Sequence, residues 1–274
     1  MIRPPDYEEL VRLALREDAP FGDPFGSAFP QPVRGLFLAG APGLFCGGPV
    51  AAEVFRQVDP AVTVEFAEEG RLMSAGDRAG EARGPAGSLL RAERVALNFL
   101  QRLSGIASAT ARFVEKAAPH GARILDTRKT TPLHRVLEKY AVRVGGGFNH
   151  RFSLSDGILI KENGIRAAGG IPQAVAAARR HASHLVRVEV EVESLEDAGK
   201  AVEEGADAVL LDNMPPDAVR EAVRRFGGRV FLEASGGIGL DNVEEYARTG
   251  VAAISIGALT HSAPALDLSF ELSV

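Results

Sequence analysis

The sequence predicts an α/β protein in two parts: a first half of helices and antiparallel strands, and a second half of parallel strands arranged as a β/α barrel. Three observations predict it. From Arg123 onward, short apolar runs alternate with helical patterns at the spacing of parallel strands joined by right-handed crossovers. Between Val33 and Arg83, short alternating runs are punctuated by Gly and Pro, as in antiparallel strands. The tail LDLSFELS places Leu266, Leu268, Phe270 and Leu272 on one side and polar residues on the other. That is a half-exposed antiparallel strand, expected to return to the N-terminal sheet.

Along the chain, Asp6 and Glu9 form a capping box ahead of the stripe Leu10, Val11, Ala14 and Leu15. VRGLFLA, AAEVFRQV and AVTVEFA are expected as strands. After Gly87 a long helical pattern runs toward Ala117, with a bend expected at Gly105 and the domain boundary between Gly105 and Ala109. Strands are expected at Arg123–Leu125, Gly157–Ile160, Leu185–Val190, Ala208–Leu211, Val230–Leu232 and Ala252–Ile256. Helices are expected at Leu133–Val142, Ile171–His181, Ser194–Glu203, Asp217–Phe226 and Asn242–Arg248, with Ser194 and Asp217 at helix starts.

Bulk properties narrow the function. A length of 274 residues suits one large barrel or two domains, and 46% hydrophobic with 24% charged content is that of a soluble globular protein. A net charge of −5 argues against nucleic-acid binding. The positive residues are mostly arginine, which suits bidentate anion binding, although codon bias explains the enrichment equally well. Cys46 is the only cysteine, which excludes an intrachain disulfide and a cysteine zinc site. MIRPPDYEEL lacks a signal-peptide core, and no apolar run approaches the ~18 residues of a membrane span. A cytoplasmic protein is expected.

The chemistry collects at strand ends. Asp126, Arg128 and Lys129 follow Leu125; Lys161 follows Ile160; Glu191 and Glu193 surround the end of the next strand; Asp212 follows Leu211; Glu233, Ser235, Gly236 and Gly237 follow Leu232; Gly257 follows Ile256. In a β/α barrel these converge on the C-terminal face. Arg128, Lys129, His150, Arg151 and Lys161 make a cationic half, and Glu191 and Asp212 an acidic half. Three glycines, Gly145 to Gly147, precede Asn149-His150-Arg151. The loops ASGGIG and SIGAL suit a phosphate held by backbone N–H groups. Anionic substrates with at least one phosphate follow, and the acidic half then holds either a Mg²⁺ ion or sugar hydroxyls.

Blander readings compete. An Arg-Lys pair is commonly a solvated face, and Lys161 at a strand end can snorkel. Glu191 and Glu193 alternate with Val190 and Val192; one is expected to face inward, and Glu191 is favoured. His181 and His184 sit at a helix C-terminus, where imidazolium suits the dipole better than a metal requires. His120 and His134 have no evident partners, Gly236 to Gly239 are not a dinucleotide fingerprint, and Cys46 is most simply a small buried side chain.

DTRKTTP, KYAVRVGGGFNHR, LIKEN, VEVEVESL, LLDNM, EASGGI and ISIGALTHS, in this order, closely resemble the quinolinate phosphoribosyltransferase family, and GPVAAEVFRQVDP and ERVALNFLQRLSGIASAT resemble its N-terminal half. The resemblance implies an N-terminal α/β sandwich over residues 1–108, rejoined by 266–274, and an open seven-stranded TIM-like α/β barrel over 109–265. It implies a carboxylating nicotinate-nucleotide diphosphorylase, a pentosyltransferase of NAD biosynthesis acting on quinolinate and phosphoribosyl pyrophosphate with Mg²⁺. It implies a homodimer with shared active sites, the choice between dimer and hexamer staying open. By resemblance Arg128, Lys129, His150, Arg151 and Lys161 bind the anions, and Arg94 reaches in from the other subunit. Glu191 and Asp212 serve the ribose hydroxyls and metal. Ser235, Gly236, Gly237 and Gly257 cradle the 5′-phosphate. Lys129, Lys161, Glu191 and Asp212 are the candidate catalytic residues.

Two positions depart from the family pattern: Leu133-His134 follow TTP where glycine is usual, and Gly164 replaces the histidine of LIKDNH. Two alternatives remain at this level: a phosphate-binding barrel aldolase or isomerase using Lys161 as a Schiff base, and a non-catalytic anion-binding paralogue.

Overall fold

A computed structural model describes residues 7–273. The first elements are α1 (Glu8–Asp18), β1 (Pro32–Ala39), β2 (Gly43–Leu44), α2 (Gly48–Val58), β3 (Thr63–Phe66), β4 (Leu72–Met73), β5 (Arg78–Pro85) and α3 (Ala86–Ala117). Then come β6 (Arg123–Leu125), α4 (Arg135–Val144), β7 (Ile158–Ile160), α5 (Glu162–Ala168), α6 (Ile171–His181), β8 (Val188–Val192) and α7 (Leu195–Glu203). The last are β9 (Ala208–Asp212), α8 (Pro216–Phe226), β10 (Phe231–Ser235), α9 (Val243–Ala247), β11 (Ala253–Ser255), α10 (Ala258–His261) and β12 (Leu268–Ser273). One compact unit takes the chain through Ala111, Thr130–Gly146 and the chain from Leu259; the second takes Arg112–Lys129 and Gly147–Ala258. No helix among the described residues is long and apolar enough to cross a membrane.

In the first unit, an antiparallel sheet has the order β12-β1-β5-β3. β12 pairs with β1 so that Phe270 lies opposite Phe37. The rings of Phe37, Phe55, Phe66 and Phe270 meet at centroid separations of 4.6 to 6.4 Å. Phe37 and Phe55 are fully buried; each such burial stabilises by roughly 1.5–3 kcal/mol. Gly35 makes room, since a Cβ there would lie 2.0 Å from the Phe270 ring.

AAEVFRQV, expected as a strand, is the body of α2. Val50, Ala51, Val54 and Phe55 are its buried face, at the i, i+1, i+4, i+5 spacing of a helix rather than the period of two of a strand. Pro49 sits in its first turn, and the Glu69 carboxylate accepts the N–H groups of Gly47 and Gly48 at 2.8–3.0 Å. These contacts satisfy donors that every helix start leaves open. α1 follows Tyr7 with no side-chain cap; the capping box expected there requires Asp6, which lies outside the described residues. α3 runs unbroken through Gly105, where a Cβ would lie 2.0 Å from the Pro264 carbonyl oxygen. That glycine admits a neighbouring backbone and does not interrupt the helix. Gly145 is likewise a packing glycine: its Cβ would lie 2.4 Å from the Ala107 carbonyl oxygen.

In the second unit, six parallel strands have the order β6-β11-β10-β9-β8-β7. Val209, Leu210 and Leu211 of β9, Leu232 and Ala234 of β10, and Ala253 and Ile254 of β11 are all buried, as in strands covered on both faces. The expected seventh strand is reduced to one bridge, Phe148 beside Leu125. Phe148 donates to Ile124 at 2.8 Å and accepts from Asp126 at 3.1 Å. The next two residues turn to a side chain instead: Asp126 accepts the Asn149 amide at 2.5 Å and the His150 backbone N–H at 2.9 Å, which ends the ladder. The register sets Ser235 beside both Asp212 and Ser255, and Ser255 beside Leu125, so the chemistry-bearing ends share one edge.

Boundaries moved where local turns decided them. β8 begins at Val188 rather than Leu185, because Ser183 to Val186 form a turn that leaves Leu185 exposed. Ser194 caps α7 by accepting the Asp197 N–H at 3.1 Å, as expected. Asp217 lies inside the first turn of α8, whose cap is Pro215.

Candidate active site

The C-terminal ends of the parallel strands surround a cavity of roughly 330 Å³ in the second unit. Eight of the residues singled out from sequence line it: Arg128, Lys129, His150, Arg151, Lys161, Glu191, Asp212 and Ser235. Thr127, Leu159, Leu210, Glu233 and Ser255 complete the wall. Gly236, Gly237 and Gly257 stand just past the strand ends but outside the lining, and Arg94 is exposed on α3 in the first unit. Arg94 makes no hydrogen bond or ion pair among the described residues.

Each side chain is placed by its local fold. Arg128 and Lys129 leave β6 through a turn in which Thr127 Oγ1 accepts the Lys129 N–H at 3.0 Å. Asp126 is fully buried, and its two bonds to residues 149 and 150 hold the next segment against β6. Arg151 donates through Nη1 to the Gly157 carbonyl at 2.9 Å. Burial first, then the like charge of Arg128, lowers the proton affinity of its guanidinium; arginine remains cationic across any ordinary pH range. Lys161 is the N-cap residue of α5 and is ion-paired with Glu191. Asp212 accepts the Asn213 side-chain amide at 2.8 Å. Asn213 holds a φ of 53°, a left-handed conformation that asparagine tolerates. Gly236 and Gly237 hold φ of 87° and 63°, and a Cβ on Gly236 would lie 2.3 Å from the Asn213 side chain. The glycine pair therefore lets the β10 loop pass close beside Asp212.

Two acids were missed as site residues. Glu189 and Glu191 lie on the same face of β8, between the buried Val188, Val190 and Val192. The alternation VEVEV carried that signal, since residues two apart share a strand face. Glu191 and Glu193 therefore do not divide between inward and outward faces. Glu193 lies past the strand end and, with Glu191, borders a separate cleft of roughly 580 Å³ beside α5 and α6. Glu233 is 2% exposed beneath the cavity. Burial first, then the Glu189 charge, pushes its carboxyl up to about 8, with His150 opposing. His150 Nε2 lies 3.0 Å from Glu189 and 3.7 Å from Glu233. His150, Glu189 and Glu233 are the one cluster of three among the described residues with ligand atoms all within 4.8 Å of each other.

Other residues resolve simply. His120 has a partner, Glu244, at 3.7 Å, and His134 stacks on Phe99 at 6.0 Å. Cys46 is buried, and that burial pushes its thiol far up. The cavity thus offers guanidinium and ammonium groups for anions, hard carboxylate oxygens, and one buried acid.

Residues 26–104 match the Quinolinate phosphoribosyl transferase N-terminal domain, and residues 106–271 match the C-terminal domain. A Bacillus subtilis (strain 168) relative, named probable nicotinate-nucleotide pyrophosphorylase (carboxylating), is 44% identical over 270 residues, covering 97% of this chain and 93% of that one. The Homo sapiens nicotinate-nucleotide pyrophosphorylase (carboxylating) is 42% identical over 280 residues, covering 99% and 93%. The crystal structure of NadC from Streptococcus pyogenes superposes with a TM-score of 0.94 at 41% identity, covering 100% of this chain and 98% of that one. The chain belongs to the quinolinate phosphoribosyl transferase family.

Proposed function

We propose that this chain transfers phosphoribosyl from phosphoribosyl pyrophosphate to quinolinate with decarboxylation, giving nicotinate mononucleotide, pyrophosphate and CO₂ in NAD biosynthesis. The observation that carries the reading is the two-signed cavity, with Arg128, Lys129, Arg151 and Lys161 set against Glu191 and Asp212. Quinolinate brings two carboxylates, and its cosubstrate brings a 5′-phosphate and a pyrophosphate. Guanidinium groups take carboxylate or phosphate bidentately, and lysines act as point charges. Gly236, Gly237 and Gly257, with Ser235, form the loops assigned to the 5′-phosphate.

Pyrophosphate leaves C1 of the ribose with oxocarbenium character. Glu191 and Asp212 stabilise the positive charge that develops there, Lys129 stabilises the departing anion, and Arg128, Arg151 and Lys161 hold the two carboxylates of quinolinate. The pyridine nitrogen bonds to C1 and becomes cationic. It then draws the electron pair left at C2 as the C2 carboxylate departs as CO₂, and C2 takes up a proton. No enzyme nucleophile is required.

Mg²⁺ fits the donor set. Glu191 and Asp212 offer hard oxygens, and among the described residues no third ligand side chain gathers with them. One or two carboxylates completed by substrate phosphates and water is the usual Mg²⁺ arrangement. When bound, the ion supplies charge neutralisation to the pyrophosphate. The same proposal includes a cytoplasmic homodimer in which the exposed Arg94 completes a partner's site.

A Schiff-base lysine needs a desolvated pocket or a neighbouring cation. Lys161 is exposed and paired with a carboxylate, so the aldolase alternative finds no support in its surroundings. The test is release of CO₂ and pyrophosphate from quinolinate plus phosphoribosyl pyrophosphate, with Mg²⁺ and after chelation. Equal release of both, dependent on Mg²⁺, is expected; anion binding without release would leave the non-catalytic reading in its place.

A further inference from the structure

His150 was assigned from sequence to the cationic half of the site, but its ring is already engaged at both nitrogens. The Arg151 backbone N–H donates to Nδ1 at 2.7 Å. Nε2 lies 3.0 Å from the Glu189 carboxylate. An amide N–H only donates, so Nδ1 must present its lone pair. The ring proton then sits on Nε2, directed at Glu189. An imidazolium would set a second proton, on Nδ1, against the amide proton and break that bond.

The groups facing the ring agree with a neutral state. Glu233 lies 3.7 Å from Nε2, and its Oε1 is buried with no hydrogen-bond partner among the described residues. An ionised Glu233 would demand a cation beside it. Burial and the Glu189 charge push its carboxyl up to about 8 even against the opposing pull of His150, so it is protonated at neutral pH and makes no such demand. Asp126 faces the same residue from β6, but its carboxylate accepts the backbone N–H of His150. Arg151, whose backbone N–H holds Nδ1, lines the cavity together with Arg128.

We propose that His150 brings no positive charge to the cavity: it is a neutral positioning residue whose ring, clamped between Glu189 and the Arg151 backbone N–H, fixes the turn that carries Arg151 into the site. Arg128, Lys129, Arg151 and Lys161 then supply all the positive side-chain charge that lines the cavity. The kinetic consequence rests on the proposed reaction; the protonation state does not.

Two measurements test it. Ring ¹⁵N NMR of the histidine-labelled full chain at neutral pH should show one protonated and one bare nitrogen for His150, with the proton on Nε2. His150→Gln identifies those signals by their loss, and Glu189→Gln identifies them by a shift in Nε2 if the first variant does not fold. Two protonated nitrogens would overturn the proposal. In the kinetic arm, His150→Gln, uncharged but able to donate an N–H, should retain roughly tenfold more kcat/KM than His150→Phe. Equal losses in two folded variants would also overturn it. A wild-type chain without turnover would sink the reaction while leaving the NMR result to decide the ring.

Discussion

The Lys161 ammonium and the Glu191 carboxylate are ion-paired across the ends of β7 and β8. A cation assigned to quinolinate and an acid assigned to the ribose thus neutralise each other before substrate arrives. An exposed pair of this kind contributes only about 0–1 kcal/mol to stability. Lys161→Ala should therefore shift Tm by no more than about 2–4 °C while raising the quinolinate KM about tenfold or more. Thermal melting beside steady-state kinetics checks this; an unfolded variant would assign Lys161 to structure.

Glu233 makes stability depend on pH. Its folded pKa, about 8, lies above an ordinary value of 4.5. Between those values the folded chain holds a proton that the unfolded chain releases, so stability is greatest below the lower value and is lost as pH rises through the upper one. The loss is on the order of a few kcal/mol. Glu233→Gln removes it. Melting curves of both proteins should diverge in favour of the variant as pH rises from about 5 to about 8.5; parallel curves would mean Glu233 is not a buried neutral acid.

Leu133 stands where the family pattern has glycine, and it adopts a φ of 66° with its side chain 80% exposed. A leucine there carries about 1–2 kcal/mol of strain, partly offset by the extra unfolded-state entropy glycine brings. Leu133→Gly should stabilise the chain by up to about 1 kcal/mol in denaturant titration. Gly164, the other departure, is an exposed glycine in α5, where a Cβ would meet only Ile160 Cγ2, at 3.7 Å. Gly164→Ala should also stabilise, by about 0.5–1 kcal/mol.

The shared-site proposal makes a complementation test available. Lys129→Ala and Arg94→Ala proteins, each nearly inactive, should regain part of the activity when refolded together, because one hybrid site receives both wild-type residues. Confirmed mixed dimers that stay inactive would contradict it.

Much of the barrel was legible because parallel strands buried on both faces read as plain apolar runs. β6 and α6 fall at their expected bounds, and the strand-end charges Arg128, Lys129, Lys161, Glu191 and Asp212 meet in one cavity. The misses have physical causes. α2 was hidden because its helix face begins with alanines, and Glu69, a distant residue, satisfies its start. Phe148 is a one-residue strand because Asp126 captures the two residues after it. Glu189 was overlooked because the strand was placed three residues early, which moved its end to Val190. The state of His150 depends on partners from two other strands, which no local pattern reveals.

The division of labour inside the cavity is the central claim, and paired substrate kinetics of Arg151→Ala and Asp212→Asn test it most directly. Arg151→Ala should raise the quinolinate KM by about tenfold or more and leave the phosphoribosyl pyrophosphate KM within about twofold, while Asp212→Asn should do the reverse and lower kcat. Both variants impairing both substrates equally would contradict a site split into a dicarboxylate half and a sugar-phosphate half.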